Sequence, residues 1–185
     1  NMLFLEEIWS RNFTNLFIAP LKVSEIITGL TATALIRTLI GIVPAVLLAS
    51  PFFGVSLLNL GPALILLLLS LYAFGITLGL LVVSGLLRYG PAFENVAWSS
   101  LFLLAPLGCI YYPLSILPDW LQILAKALPL VYIFEEVRSI LINNIVDYSN
   151  IMSALVLNFI YFIIAIFVFY RAFDEARKKG TLINV

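Results

Sequence analysis

Charged side chains that could do acid–base chemistry are grouped in one stretch of this chain. Glu135 and Glu136 are adjacent, Arg138 follows them, and Asp147 lies a little further on. Paired carboxylates can exchange protons with a substrate. Glu135 and Arg138, however, have the spacing of an ion pair that stabilises a helix. We favour the ion pair over a catalytic pair.

Several other chemistries lack the residues they need. The sequence contains no histidine, which excludes Ser/His/Asp triads, Cys/His dyads and histidine-containing metal sites. The single cysteine, Cys109, lies in an apolar stretch and is interpreted as a packing residue. The sequence has no GxxxxGK[ST] phosphate loop. We therefore expect a protein that is not an enzyme, with no cofactor or metal of its own.

The elements that position these side chains must lie in lipid. Hydrophobic residues make up 63% of the chain and charged residues 11%, and the mean hydropathy is +1.12. A globule of 185 residues cannot bury that much apolar surface in one core. The formal net charge is zero, with no basic face for nucleic acid. The composition predicts an all-α integral membrane protein whose partner is lipid and not nucleic acid.

Four apolar runs are near or above the ~20 residues that a helix needs to cross a membrane. We predict transmembrane helices over residues 30–50, 60–87, 96–117 and 150–170. Pro44 and Pro106 lie inside the first and third runs, where a proline should kink a helix. The second run has Gly75 and Gly79 at GxxxG spacing, which favours packing within the chain over a dimer seam. Asn158 in the fourth run is interpreted as an interhelical hydrogen-bonding residue rather than a substrate contact.

Residues 3–17 form a pattern of a different kind. Apolar residues recur with helical spacing along one face, namely Leu5, Ile8, Trp9, Phe13, Leu16 and Phe17. Glu6, Glu7 and Arg11 fall on the opposite face, and Pro20 ends the helix. Glu7 and Arg11 have the spacing and order of a favourable helix pair. This pattern predicts an amphipathic helix on the membrane surface, too polar to span it.

The basic residues indicate the orientation. If the amphipathic helix is cytoplasmic, four spans place eight basic residues inside and two outside, as the positive-inside rule requires. The inside group is Arg11, Lys22, Arg37, Arg88, Arg171, Arg177, Lys178 and Lys179, and the outside group is Lys126 and Arg138. Arg37 is interpreted as snorkelling to the cytoplasmic interface. Residues 171–185 then form a short cytoplasmic tail.

Residues 118–147 are too apolar for a solvated loop. Asp119 follows Pro118 as an N-cap candidate, Trp120 begins an apolar helical face, and Pro129 interrupts the pattern. A second short helix carries Glu135, Glu136 and Arg138. Two short, half-apolar helices between spans predict an external re-entrant hairpin that dips into the outer leaflet.

This order of elements resembles the ABC-2 family of permeases, which export polysaccharides, lipo-oligosaccharides, drugs or lipids. Two segments carry the resemblance, EEIWSRNFTNLFIAPLKVSEIITG and LPDWLQILAKALPLVYIFEEVR. The matching residues of the first are Glu7, Arg11, Leu16, Pro20, Glu25 and Gly29. Those of the second, the more specific set, are Pro118, Trp120, Leu121, Pro129 and Arg138.

The resemblance implies roles for both segments. The first would be the coupling helix that docks on a separate ATP-binding subunit, through Glu6, Glu7, Arg11, Phe13 and Pro20. The second would be the external re-entrant hairpin near the outer gate, with Pro118, Trp120, Pro129, Glu135 and Arg138. ATP and Mg would be bound by the partner ATPase, and a second permease subunit would complete a homodimer. The expected location is the cell membrane of a bacterium or archaeon.

The family pattern normally has an interface helix and two further spans before the coupling helix. The resemblance therefore implies an N-terminally truncated part of a six-span permease, forming one transmembrane domain over residues 1–185. An ATP-independent channel, a secondary transporter and a structural membrane subunit stay open as alternatives. The predicted spans contain no Asp or Glu, which a coupling-ion site would usually require. Co-purification of an ATPase would distinguish these alternatives.

Overall fold

The computed structural model describes residues 23–53, 61–143 and 146–179, and within those ranges every regular element is a helix. The α-helices are α1 (Val23–Phe53), α2 (Pro62–Tyr89), α3 (Glu94–Leu107), α4 (Asp119–Ala125), α5 (Pro129–Asn143) and α6 (Tyr148–Lys179). Single 3₁₀ turns cover Pro91–Phe93 and Leu114–Ile116. The prediction of an all-helical membrane protein is confirmed.

Among the helices of the described residues, three are long and apolar enough to cross a membrane. They are Thr31–Ala49 within α1, the whole of α2, and Tyr148–Lys178 within α6. These helices cover the predicted spans 30–50 and 150–170, and residues 62–87 of the span predicted over 60–87. The last helix continues without a break to Lys179, so that the first part of the predicted tail is helical.

The third apolar run differs from its prediction of a span over 96–117. Helix α3 has 14 residues and ends at Leu107, a length of about 21 Å where the hydrocarbon slab is about 30 Å. Pro106 lies in the last turn, Gly108 caps the helix, and Cys109 has a left-handed φ of 54°. Pro106 therefore lies at the end of a helix and not at a kink within one. A continuous fourth transmembrane helix is not confirmed.

Helices α2 and α6 pack side by side and run in the same direction. Ser70 and Asn158 are hydrogen-bonded near the first half of each helix, and Arg88 meets Glu175 near the end of each. The core that the two helices share includes Leu80, Val83, Leu86, Leu87, Ala165, Phe169, Ala172 and Ala176. The alanines of α6 allow the close approach of two helix backbones.

Helix α5 packs antiparallel to α6 against the first halves of α2 and α6. The shared core includes Ala63, Leu67, Ile133, Ile140, Ile151 and Ala154. The Tyr161 hydroxyl donates to the Ala127 carbonyl, just before α5, at 3.0 Å. Tyr161 lies thirteen residues into α6, about 20 Å along its axis. Helices α4 and α5 together form the hairpin. The turn between them thus lies near the middle of α6 and not at its beginning.

Helix α1 is mostly exposed. The Tyr72 hydroxyl of α2 donates to the Thr31 carbonyl at 2.5 Å, while Ile36, Ile40 and Phe52 are exposed. Arg37 is also exposed. Such an apolar surface requires lipid or protein around it.

Gly75, one of the two glycines of the predicted GxxxG pair, makes no close approach within the described chain, whereas Gly85 of the same helix does. A β-carbon at Gly75 would meet nothing within 4 Å. No other described helix or turn therefore packs against Gly75. A β-carbon at Gly85 would overlap the ring of Phe93. Gly85 therefore admits the aromatic side chain that closes the turn between α2 and α3.

Candidate functional site

The predicted coupling residues Glu6, Glu7, Arg11, Phe13 and Pro20 lie outside the described residues. The coupling helix over 3–17 stays a prediction. The second predicted group, Pro118, Trp120, Pro129, Glu135 and Arg138, belongs to the described hairpin, and its geometry can be followed from the residues upward.

The two prolines of the hairpin each begin a helix. Pro118 is the N-cap of α4, and its carbonyl accepts the N–H groups of Leu121 at 2.8 Å and Gln122 at 3.0 Å. Asp119 is the first helical residue and makes no side-chain cap, although its carboxylate suits the positive end of the helix dipole. Pro129 is the first residue of α5 and is buried, a position where its missing N–H costs nothing.

The predicted ion pair between Glu135 and Arg138 is present. An Arg138 guanidinium nitrogen lies 2.8 Å from Glu135 Oε1, one helical turn away. The other terminal nitrogen donates to the carbonyl of Cys109 and, at 3.1 Å, to that of Ile110. Glu135 Oε1 also accepts the backbone N–H of Leu114 at 2.8 Å. One ion pair thus binds three backbone groups of the connection between α3 and α4.

That connection, residues 108–118, is irregular and needs these bonds. Backbone N–H and C=O groups outside a helix ladder must find partners elsewhere when they are buried. Hydrogen bonds to charged groups are about twice as strong as neutral ones. Two further side chains contribute, since Tyr112 bonds the Pro106 carbonyl and Gln122 the Leu117 carbonyl, each at 2.8 Å. The pair therefore holds the α3–α4 connection against α5.

Glu136 performs the corresponding task on the other side of α5. Its side chain is fully buried. Oε1 accepts the backbone N–H of Asp147 at 2.8 Å, and Oε2 accepts the Asn150 side-chain amide at 3.1 Å. From the sequence, Glu136 is an acid–base candidate with no identified hydrogen-bond partner. The structure shows that it ties the middle of α5 to the beginning of α6.

The two adjacent carboxylates do not form one site. Glu135 faces the α3–α4 connection and Glu136 faces α6, and different donors occupy them. In the described part of the chain, no group of three or more His, Cys, Asp or Glu residues could hold a metal. The arrangement positions the backbone and has no free carboxylate pair for proton transfer.

Asn158 forms the interhelical bond that the sequence predicts. Its Nδ2 donates to the Ser70 carbonyl at 2.9 Å and to Ser70 Oγ at 2.7 Å. Both side chains are buried, and no described residue donates to Asn158 Oδ1. No local pattern identifies Ser70 as the partner, although a serine inside an apolar run can accept and donate hydrogen bonds to an asparagine.

The basic residues of α2 and α6 lie at one end of this helix pair, and those of the hairpin lie towards the other end. Because α2 and α6 are parallel, Arg88, Arg171 and Lys178 lie near their common carboxyl-terminal end, where Arg88 is 3.8 Å from Glu175. Lys126 and Arg138 belong to the hairpin, which packs on the other half of the pair. This distribution is the one on which the predicted orientation depends.

Comparison with known proteins gives one family. The family model described as ABC-2 type transporter matches residues 1–142. The match extends from the predicted coupling segment to the end of α5. Neither the curated proteins nor the solved structures contain a match.

Proposed function

The chain belongs to the ABC-2 type transporter family, and on that premise we propose that it is the permease subunit of an ATP-driven exporter. The observation that carries the proposal is the match over residues 1–142. It includes the amphipathic segment 3–17 that resembles a coupling helix and the α4–α5 hairpin. The described residues contain three helices of spanning length, which fits this role.

The energy would come from a second protein. A separate ATP-binding subunit would bind ATP and Mg and hydrolyse the nucleotide, because the sequence has no phosphate loop. Two permease subunits would form a homodimer in a bacterial or archaeal cell membrane. The transported substrate would be a lipid-linked saccharide, a polysaccharide, a drug or a lipid.

The hairpin would enter the membrane from outside. Its turn lies about 20 Å along α6, at Tyr161, which in a ~30 Å slab is membrane depth. Irregular backbone at such depth requires protein partners. Within the turn, the Ala127 carbonyl accepts the Tyr161 hydroxyl and the Leu128 N–H bonds the Ala125 carbonyl.

The chain's own task would be mechanical. ATP binding would draw two ATPases together, and the coupling helices would pass that movement to the spans. Within each subunit, α5 is bonded to the α3–α4 connection through Arg138 and to α6 through Glu136. A displacement of α6 would therefore reach the α3–α4 connection through α5.

Charge reversal in the coupling segment tests this proposal. In the full-length protein at low salt, Glu7→Arg and Arg11→Glu should each weaken association with the ATPase and uncouple ATP hydrolysis from transport. Membrane insertion should be unchanged because the spans are unchanged. Lys178→Glu, a charge reversal on an exposed residue of α6, is the matched control.

The measurements are ATPase pull-down from detergent-solubilised membranes and transport in proteoliposomes. Wild-type coupling in both coupling-segment variants would remove the role assigned to the segment. A channel, a secondary transporter or a structural subunit would co-purify with no ATPase at all, which would overturn the exporter proposal itself.

A further inference from the structure

Lys126 lies at the tip of the hairpin, directly after α4. The apolar part of α6, residues 151–170, is about 30 Å long, which is the thickness of the hydrocarbon slab. Tyr161, whose hydroxyl donates to the Ala127 carbonyl, lies in the middle of this part. The tip of the hairpin is therefore near the middle of the slab, about 15 Å from either surface.

A second contact between the hairpin and α6 gives the same depth. Nearer the outside, Glu136 accepts the side-chain amide of Asn150, and these two residues are 14 apart in sequence. Ala127 and Tyr161 are 34 apart, so that similar lengths of α5 and α6, about 15 Å each, separate the two bonds. The hairpin therefore follows α6 from Asn150 down to its tip.

Helix α4 and the residues that continue it have three faces. One face packs in the hairpin core and consists of Leu121, Ala125 and Leu128. A second face, the outer apolar face, is exposed and consists of Trp120, Ile123 and Leu124. The third, the polar face, consists of Asp119, Gln122 and Lys126, whose spacing of three and four residues places them in one row. The polar face thus runs from the beginning of α4 to the tip, beside the outer apolar face.

The charge of Lys126 needs water or a partner at this depth. A charged side chain in the middle of a membrane is costly and is found facing protein or a water-filled cavity. The lysine side chain reaches only about 6 Å through its four methylene groups, too short to extend to either surface. Lys126 is exposed, and among the described residues no carboxylate lies within 4.0 Å of its ammonium group. Water therefore has to reach Lys126, and the polar face of α4 is the surface along which it can do so.

We propose that the polar face of α4 lines a water-filled path from outside, and that Lys126 at its inner end binds the anionic headgroup of an amphiphilic substrate. A lysine ammonium group binds phosphate as a point charge. The apolar part of the same molecule would contact the adjacent outer apolar face, at Trp120 and Ile123. The inference rests on the proposed export function and, among the substrates named there, favours lipids and lipid-linked molecules that carry a phosphate.

Spin labels in the full-length protein, reconstituted in lipid vesicles, test the water-filled path. A label at Lys126→Cys should collide with a water-soluble nickel complex. A label at Ile160→Cys, exposed on α6 beside Tyr161, should collide with dissolved oxygen only. An oxygen-only signal at Lys126→Cys would overturn the path, and a nickel signal at Ile160→Cys would overturn the membrane depth. The protein without an introduced cysteine controls for labelling of the buried Cys109.

Binding of a short-chain lipid to the purified full-length protein tests the site itself. Lys126→Gln should weaken the binding of dioctanoyl-phosphatidylglycerol about tenfold, as expected for the loss of one hydrogen bond to a charged group. Lys126→Arg keeps the charge and should stay within about threefold of wild type. Dioctanoylglycerol, which has the same tails and no phosphate, should bind equally to wild type and Lys126→Gln. Lys178→Gln, on an exposed position of α6, is the matched control and should change neither affinity.

The outcomes separate the parts of the proposal. Equal binding of the phospholipid to wild type and Lys126→Gln would overturn it, and so would an equal loss of dioctanoylglycerol binding. Inorganic phosphate that binds as tightly as the phospholipid would overturn the amphiphilic substrate, because the outer apolar face would then contribute nothing. None of these measurements involves ATP. The absence of a co-purifying ATPase would therefore refute the export function without changing the binding result, and lost binding selectivity with intact ATPase coupling would refute the site alone.

Discussion

Arg138 should contribute more to stability than any exposed arginine of this chain. Replacing it with alanine leaves the carbonyls of Cys109 and Ile110 without their donor and removes the ion-pair partner of Glu135. Removing one member of a buried pair costs about 3–5 kcal/mol. The side chains of Arg138 and Glu135 are 23% and 30% exposed, and solvent weakens the interaction between partly exposed charges. We therefore expect Arg138→Ala to lower the free energy of unfolding by about 2–3 kcal/mol.

Arg138→Lys separates charge from geometry. A lysine keeps the positive charge and can reach Glu135. It lacks the planar fork that serves the carboxylate and the two carbonyls together. We expect a loss of about 1–2 kcal/mol, between wild type and Arg138→Ala.

The assay is reversible unfolding by SDS in mixed micelles, combined with hydrogen exchange of the backbone amides. The Leu114 amide is the local reporter, because it is bonded to the Glu135 oxygen that Arg138 also contacts. Arg88→Ala is the matched control. Arg88 lies 3.8 Å from Glu175 and the two side chains are 54% and 42% exposed, so this change should cost less than about 1 kcal/mol.

The comparison between the two arginines can refute the reasoning. If Arg138→Ala costs no more than Arg88→Ala, and the Leu114 amide exchanges at its wild-type rate, then Arg138 does not hold the α3–α4 connection. Faster exchange at Leu114 without a global loss of stability would show that the connection opens independently of the helices.

The same unfolding assay tests two further sites. Glu136→Gln should cost about 1–3 kcal/mol, since an amide cannot accept both donors that the buried carboxylate now satisfies; wild-type stability would contradict this. Gly85→Ala should cost about 1–3 kcal/mol because the ring of Phe93 must move. Gly75→Ala, where the added methyl group meets nothing, should be neutral or stabilising by up to about 1 kcal/mol. Equal effects of the two substitutions would show that the packing around these glycines differs from the one described. For orientation, a cysteine at Lys178 should be labelled only from the cytoplasm and one at Lys126 only from outside, and reversed labelling would invert the topology.

The sequence predicts the long helices well because their signal is local. Apolar runs that are long enough to cross a membrane as helices predict spans at 30–50, 60–87 and 150–170. The structure has a helix of spanning length in each of these three regions. In the third run, predicted as a span over 96–117, the helix ends at Leu107, and hydropathy does not record where a helix stops. Pro106, Gly108 and Pro113 are stop signals, but membrane helices tolerate proline, and the composition alone favoured a kink.

The site was predictable only where its contacts are close in sequence. The spacing of Glu135 and Arg138 predicted their ion pair. The bonds from this pair to Leu114 and Cys109 join residues 21 and 29 apart, a separation at which no local pattern exists. Asn158 is an intermediate case, since burial in an apolar run predicts a hydrogen bond without identifying Ser70 as its partner.

The bonds of Arg138 also bear on how the protein is made. The carbonyls of Cys109 and Ile110 leave the ribosome before the guanidinium that binds them, which follows 28 to 29 residues later. Until Arg138 has been synthesised, these carbonyls lack the donor that they have in the finished structure. The α3–α4 connection can therefore reach its final backbone conformation only after α5 has been made.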